Sequence, residues 1–215
     1  MTFFELTDIS FGYAGRNTAV LKHFSLRMEK GEVAGLLGQS GCGKSTLLRI
    51  IAGLELPDSG RIILNGRTLV DPQHFIEPEQ RGVGMVFQDY ALFPHLTVGQ
   101  NILFGLHRLS KKERLLRLEE MLELIRLQHL VKRYPHELSG GQQQRVAFAR
   151  ALAPSPELLL MDEPFSSLDA HLKKDIREEL KLLLHESNMT CLVVTHDQED
   201  AAVICDRIVQ MTNRT

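Results

Sequence analysis

Three short segments carry residue types at spacings suited to phosphate chemistry. The first, Gly38-Gln39-Ser40-Gly41-Cys42-Gly43-Lys44-Ser45-Thr46, fits the pattern G-x-x-x-x-G-K-S followed by threonine. Gly38, Gly41 and Gly43 allow the backbone to turn its amides inward, those of Gln39, Ser40 and Cys42 included, around an anion's oxygens. Lys44 adds a full positive charge toward β- and γ-phosphates, and Ser45 offers a hydroxyl to Mg2+. The second segment, Leu158 to Pro164, is an apolar run ending in Asp162 and Glu163. Carboxylates at the end of a buried strand suit a Mg2+ contact by Asp162, acting through a water, and polarisation of an attacking water by Glu163. Two acids in that place also suit plain capping of a strand end. The third, Leu138 to Arg145, reads LSGGQQQR. Its Ser139 hydroxyl, the close amides of Gly140 and Gly141, and a helix opening at Gln142 form a second clamp for an anion. Ser139 equally suits a simple helix N-cap.

These segments need elements to hold them. Glu32–Leu37 reads as a buried strand feeding the glycine loop, and the run from Ser45 to Leu54 as a helix stopped near Gly53. FFELTDI and FSLRM read as early strands of a hairpin-like lobe, and RIILNG and GVGMVF as further strands. From Asp89 to about Gln144 helical spacing replaces strand signals. There Ser110 and Glu113 fit a capping box ahead of Leu115, Leu118, Leu122 and Ile125. The charges of that stretch, Lys111, Lys112, Arg114, Arg117, Glu119 and Glu120, read as a solvated face. Beyond it, LLLM, CLVVTH and RIVQM read as strands. HLKKDIREELKLLLHES reads as an amphipathic helix with Leu172, Ile176, Leu180 and Leu183 on one side. Apolar strands alternating with helices imply an α/β fold with a mostly parallel sheet covered on both faces.

Composition narrows the class. The chain has 215 residues, enough for one substantial core, with 43% hydrophobic and 24% charged residues. A net charge of −2 makes no global electrostatic case for nucleic acid. The three cysteines, Cys42, Cys191 and Cys205, lie far apart, form no metal-binding pair, and read as reduced thiols. No apolar run approaches the ~20 residues that span a bilayer. The N-terminal MTFFELTDIS lacks the basic and apolar regions of a signal peptide. The expectation is a cytoplasmic protein that meets a membrane through a partner.

The glycine loop, LSGGQ and the acidic strand, in that order, resemble the ATP-binding cassette (ABC) family, whose ATPase subunits drive transporters. The resemblance implies a P-loop NTPase core with an N-terminal antiparallel β lobe and a helical insertion. The division expected is one domain, with residues 1–88 and 145–215 forming the core and 89–144 the helical subdomain, and no C-terminal regulatory domain. It also implies that Thr46 reaches the α-phosphate side and that Tyr13, in ISFGYAG, stacks on adenine, although Phe11 is nearby. Gln88 resembles the family's glutamine that contacts Mg2+ and links core to helical lobe, and His196 the switch histidine at the γ-phosphate. Ser166–Asp169 resembles the loop facing the partner subunit, with Asp169 also placed to cap the next helix. The family's head-to-tail dimer then sandwiches MgATP between the glycine loop of one chain and the LSGGQ of the other, as a homodimer with two equal sites or as a heterodimer with a similar subunit.

PHELSGGQQQRVAFARALAPSPELLLMDEPFSSLDAHL and RGVGMVFQDYALFPHLTVGQNILFGL look most like ATPase subunits of bacterial binding-protein-dependent importers, closest to ferric-iron importers. Polyamine, sulfate, molybdate, sugar and phosphonate systems remain open. The implied partners are transmembrane permease subunits and, indirectly, a solute-binding protein, with the chain peripheral to the cytoplasmic face of the inner membrane. Tyr90, Leu92, Phe93, Pro94 and His95 are candidate permease contacts, with Leu92 and Phe93 as readily packed inside their own lobe. Two other readings stand beside this one: an ABC-type ATPase acting on nucleic acid or ribosomes, and a catalytically idle form. Cys42 is either a small loop residue or a thiol whose alkylation blocks nucleotide.

Overall fold

Two sheets carry the fold in the computed structural model, which describes residues 2–13, 19–166 and 170–211. The strands are β1 (Thr2–Phe11), β2 (Leu21–Glu29), β3 (Val33–Leu37), β4 (Ser59–Leu64), β5 (Arg67–Val70), β6 (Val83–Val86), β7 (Leu158–Asp162), β8 (Cys191–Thr195) and β9 (Arg207–Gln210). The helices are α1 (Lys44–Ala52), α2 (Val98–Leu103), α3 (Lys111–Leu124), α4 (Gly140–Leu152), α5 (Ala170–Glu186) and α6 (Gln198–Ile204). Strands β2-β1-β4-β5 pair antiparallel in one sheet. Strands β6-β7-β8-β3-β9 pair parallel in the other.

The parallel sheet is covered on both sides because every residue of β3, β7 and β8 is buried. Successive side chains on a strand point to opposite faces. Leu36, Leu160 and Val194 accordingly pack with α1 residues Leu47 and Ile50 and with Phe4 and Leu6 of the antiparallel sheet. Leu159, Met161 and Val193 pack the other way, against Phe148 of α4, Leu180 of α5 and Ile102 of α2. Strand order places the C-terminal ends of β3, β7 and β8 side by side, and the three loops leaving them carry Gly38–Thr46, Glu163 and His196.

The helix after the glycine loop ends where Gly53 takes a left-handed conformation (φ 86°), with its N–H donating to the Arg49 and Ile50 carbonyls. Ser110 and Glu113 cap α3 reciprocally. Between Asp89 and Gln144 there is no strand among the described residues, and α4 runs through the expected boundary at 144/145. Strand β5 and helix α6 are too short to show in the sequence pattern.

Three expectations are corrected. Leu115 is exposed, since only the later turns of α3, with Leu122 and neighbouring Met121 and Ile125, reach the α4 face. Arg117 is no solvated charge: its guanidinium donates to the carbonyls of Leu152 (2.8 Å) and Ala153 (2.9 Å), closing the end of α4. Tyr90 is buried and presents no docking surface, whereas Pro94 and His95 are exposed. On α5, Ile176, Leu180 and Leu183 are buried, and the side chain of Leu172 lies outside the described residues.

Candidate functional site

The site begins with the turn that launches α1. Gly43 is the N-cap of that helix at φ 102°, and a Cβ there would press on Val20 and Leu21 at 3.0 Å, so glycine is required twice over. No acidic side chain occupies the first turn of α1, which leaves its positive end open to an anion. Lys44 is buried, and its Nζ donates to the carbonyls of Gly38 (2.8 Å) and Gln39 (3.0 Å). The ammonium is thereby folded onto its own loop, with the Glu163 carboxylate 3.8 Å away.

Ser40, Gly41, Gly43, Lys44, Ser45 and Thr46 line an open cleft of about 320 Å3. Tyr13, Val20, Gln88 and Glu163 complete its walls. The Tyr13 hydroxyl lies 3.3 Å from the Thr46 hydroxyl, and the Tyr13 ring meets Phe11 edge-on at 4.9 Å. Phe11 is buried, so Tyr13 is the aromatic that faces the cleft. Gln88 is exposed on the loop after β6. Cys42 contributes its backbone to the loop, but its thiol packs in the core beside Gly38, away from the cleft, which removes the motive for alkylation there.

Behind the cleft, Ser45 Oγ donates to Asp162 Oδ1 at 3.0 Å. Burial pushes the Asp162 carboxyl above its ordinary range, and the Ser45 hydrogen bond offsets only part of that. Glu163 follows β7 in a left-handed conformation (φ 45°), with its N–H bonded to the Val194 carbonyl at 2.9 Å. A non-glycine residue at such a φ stores strain that the surroundings must hold. His196 Nδ1 lies 2.7 Å from Glu163 Oε2. One glutamate therefore sits between the Lys44 ammonium and the His196 ring.

Ser139, Gly140, Gly141 and Gln142 do not line this cleft. They open α4, where Ser139 and Gln142 form a reciprocal capping box: Ser139 N–H donates to Gln142 Oε1 (2.9 Å) and Gln142 N–H to Ser139 Oγ (3.4 Å). Ser139 is exposed. Gly141 faces α5, and a Cβ there would lie 2.5 Å from Ile176 Cδ1, so a larger residue would make the Ile176 side chain shift. Asp169 lies outside the described residues.

Two buried arginines escaped the sequence reading. Arg81 is fully buried and donates to the carbonyls of Ile50 (2.8 Å), Ile51 (2.9 Å) and Ile76 (2.7 Å), closing the last turn of α1. Burial lowers its pKa to about 10. Arg177 on α5 pairs with Asp200 beyond His196. The one signal for it was position: it precedes Leu180 by three residues and Leu184 by seven, on the edge of the apolar stripe.

A family model described as ABC transporter matches residues 21–166. The chain belongs to the ABC transporter family. The cassette is 50% identical over 203 residues to the sulfate/thiosulfate import ATP-binding protein CysA of Neisseria meningitidis serogroup A, covering 92% of this chain and 56% of that protein. It is 47% identical over 213 residues to the spermidine/putrescine import ATP-binding protein PotA of Mesorhizobium japonicum, covering 97% and 57%. The chain thus spans about half the length of the curated relatives it matches. Among solved structures it resembles the dimeric post-hydrolysis state of the ATP-binding cassette MJ0796 bound to ADP and Pi. That match has a TM-score of 0.81 at 34% identity and covers 98% of this chain and 95% of that one. The P-loop NTPase cassette fold, with its antiparallel N-terminal sheet and parallel core sheet, agrees with that neighbour.

Proposed function

We propose that this cassette is the ATP-hydrolysing subunit of an importer, working as a head-to-tail homodimer that closes on MgATP and drives a membrane-embedded permease. The observation that supports it most is the cleft: the glycine loop, the buried Lys44, Ser45 and Glu163 line one open volume, with Asp162 bonded to Ser45 and His196 to Glu163 behind them. The loop amides and the positive end of α1 bind the phosphates, and Lys44 leaves its loop carbonyls to contact the β- and γ-oxygens. Tyr13 stacks on the base, a contact that needs only a flat ring. Glu163 holds the attacking water, and His196 keeps that carboxylate and the γ-phosphate in register.

The residues present fit a magnesium ion. Among the described residues no group of three or more His, Cys, Asp or Glu is placed to hold a metal alone. The Ser45 hydroxyl and Asp162 carboxylate are hard oxygen donors of the kind that share Mg2+ with substrate phosphates. Ser45 and Gln88, with Asp162 through a water, would hold it, and the ion would supply charge neutralisation at the substrate phosphates.

Ser139, Gly140, Gly141 and Gln142 lie outside the cleft of their own chain, which supports their use against nucleotide held by a second copy. Asp169 belongs to the same reading, as a residue at the contact between copies. ATP then joins the two chains and its hydrolysis releases them. No helix among the described residues is long and apolar enough to cross a membrane. In this reading permease subunits form the membrane path, a solute-binding protein delivers cargo and the cassette lies peripheral to the cytoplasmic face, as the import ATP-binding relatives support. The named relatives make sulfate or thiosulfate the first cargo to test and a polyamine the second. The sequence resemblance to ferric-iron importers has no counterpart among the relatives reported above.

The test is Glu163→Gln. ATP turnover is expected to fall by at least about 100-fold, the scale of a lost general base, while ATP affinity is retained. A variant that hydrolyses normally, or one that loses ATP binding together with turnover, contradicts the role given to Glu163.

A further inference from the structure

A buried charge cluster holds the segment that carries His196. Arg177 of α5 and Asp200 of α6 are 7% and 3% exposed. Arg177 Nε donates to Asp200 Oδ1 at 2.6 Å. Its other nitrogens donate to Glu199 Oε2 at 3.0 Å and Asp197 Oδ2 at 3.3 Å. Asp200 Oδ2 accepts from the Thr195 hydroxyl at 3.2 Å, and that same Oγ1 accepts from the Asp197 N–H at 3.0 Å. Asp197 Oδ1 in turn caps α6 through the N–H groups of Glu199 (2.8 Å) and Asp200 (3.4 Å). Both chain neighbours of His196 are therefore tied to one guanidinium, while the half-exposed imidazole reaches Glu163 at 2.7 Å.

We infer that Arg177 is a positioning residue for ATP hydrolysis, fixing the Thr195–Asp197 segment so that His196 stays against Glu163. Stability alone is a weak reason for the arrangement. A buried ion pair seldom stabilises more than apolar side chains of similar volume, because desolvation offsets its attraction. What the fork of Arg177 supplies is direction, since it orients three carboxylates at once. Its helix starts at Ala170, just after the Ser166–Asp169 segment assigned above to the contact between copies. The cluster thus ties α5 to the segment that carries His196. This inference rests on the reading of Glu163 and His196 given under Proposed function.

The experiment compares the full 215-residue chain with an apolar replacement, Arg177→Met combined with Asp200→Leu, and with Arg177→Lys. Melting temperature, kcat and KM for ATP are measured, along with the imidazole 15N signals that report the His196–Glu163 hydrogen bond. The double variant is expected to keep its melting temperature and KM, to lose about 10- to 100-fold in kcat, the cost of misplacing a reacting group by an ångström, and to lose the hydrogen-bonded imidazole signal. Arg177→Lys, which keeps charge without the fork, is expected to show an intermediate kcat. Unchanged kcat and imidazole signals in a folded double variant overturn the inference, as does a kcat that falls only in step with the folded fraction. If Glu163→Gln hydrolyses normally, the reading of the site fails instead, and the imidazole signals still test the positioning.

Discussion

Lys44 and Asp162 differ in how the fold receives their charge: Lys44 has neutral acceptors on its own loop, whereas burial disfavours the charged form of Asp162. Lys44 satisfies its ammonium with the carbonyls of Gly38 and Gln39, neutral acceptors that a phosphate outcompetes by charge. Asp162 has the Ser45 hydroxyl, and burial still holds its carboxyl above the ordinary range. The folded chain therefore takes up that proton more readily than the unfolded chain does. The stability this contributes is present below the ordinary carboxylate range and is lost as pH rises through the raised folded value. Asp162→Asn keeps an acceptor for Ser45 and removes the buried charge. Its melting temperature is expected to exceed that of the native chain, by more at pH 7.5 than at pH 4.5, while Mg2+-dependent turnover falls by at least about 100-fold. A variant less stable than native at pH 7.5 contradicts this account of Asp162. Single residues differed in how legible they were. The run Gly38–Thr46 could be read because its chemistry is contiguous in the chain. Arg177 could not, because its carboxylate partners lie 20 to 23 residues away and its charge looks like any other on an amphipathic helix. Cys42 looked like a cleft thiol because sequence adjacency carries no direction for the side chain.

The helices α1 and α4 each present a positive N-terminus, that of α1 at the cleft without a side-chain cap and that of α4 outside it with the Ser139–Gln142 capping box. At α4 the same hydroxyl serves two ends: Ser139 caps the helix, and in the proposed dimer it faces phosphate. Ser139→Ala removes half of the capping box and is expected to cost about 1 kcal/mol of stability. Ser139→Asp restores the cap and the melting temperature. It sets a carboxylate where phosphate must approach, so ATP turnover is expected to stay low in both variants. Recovery of turnover along with stability in Ser139→Asp confines Ser139 to capping. Capping boxes were legible at Ser110 because serine, glutamate and an apolar periodicity coincide. The burial of α3 was less so, since helical spacing marks a face but not how far along the helix a neighbour extends, and Leu115 falls beyond that reach.

The whole molecule joins two cores across one sheet, with α1 and the antiparallel sheet on one side and α4 to α6 on the other. That alternation was legible, because all-apolar strands between helices admit few other architectures. The cleft and the LSGGQ helix belong to one chain, yet among the described residues Ser139–Gln142 take no part in lining the cleft. The central claim follows from that separation: two copies each supply what the other lacks around one nucleotide. A structure of the Glu163→Gln chain with MgATP tests it most directly. The account predicts a two-fold dimer with ATP in both clefts, the Ser139 hydroxyl and Gly141 N–H of each protomer within hydrogen-bond reach of the γ-phosphate held by Lys44 of its partner. ATP bound at Lys44 with both LSGGQ segments remote from any phosphate contradicts it.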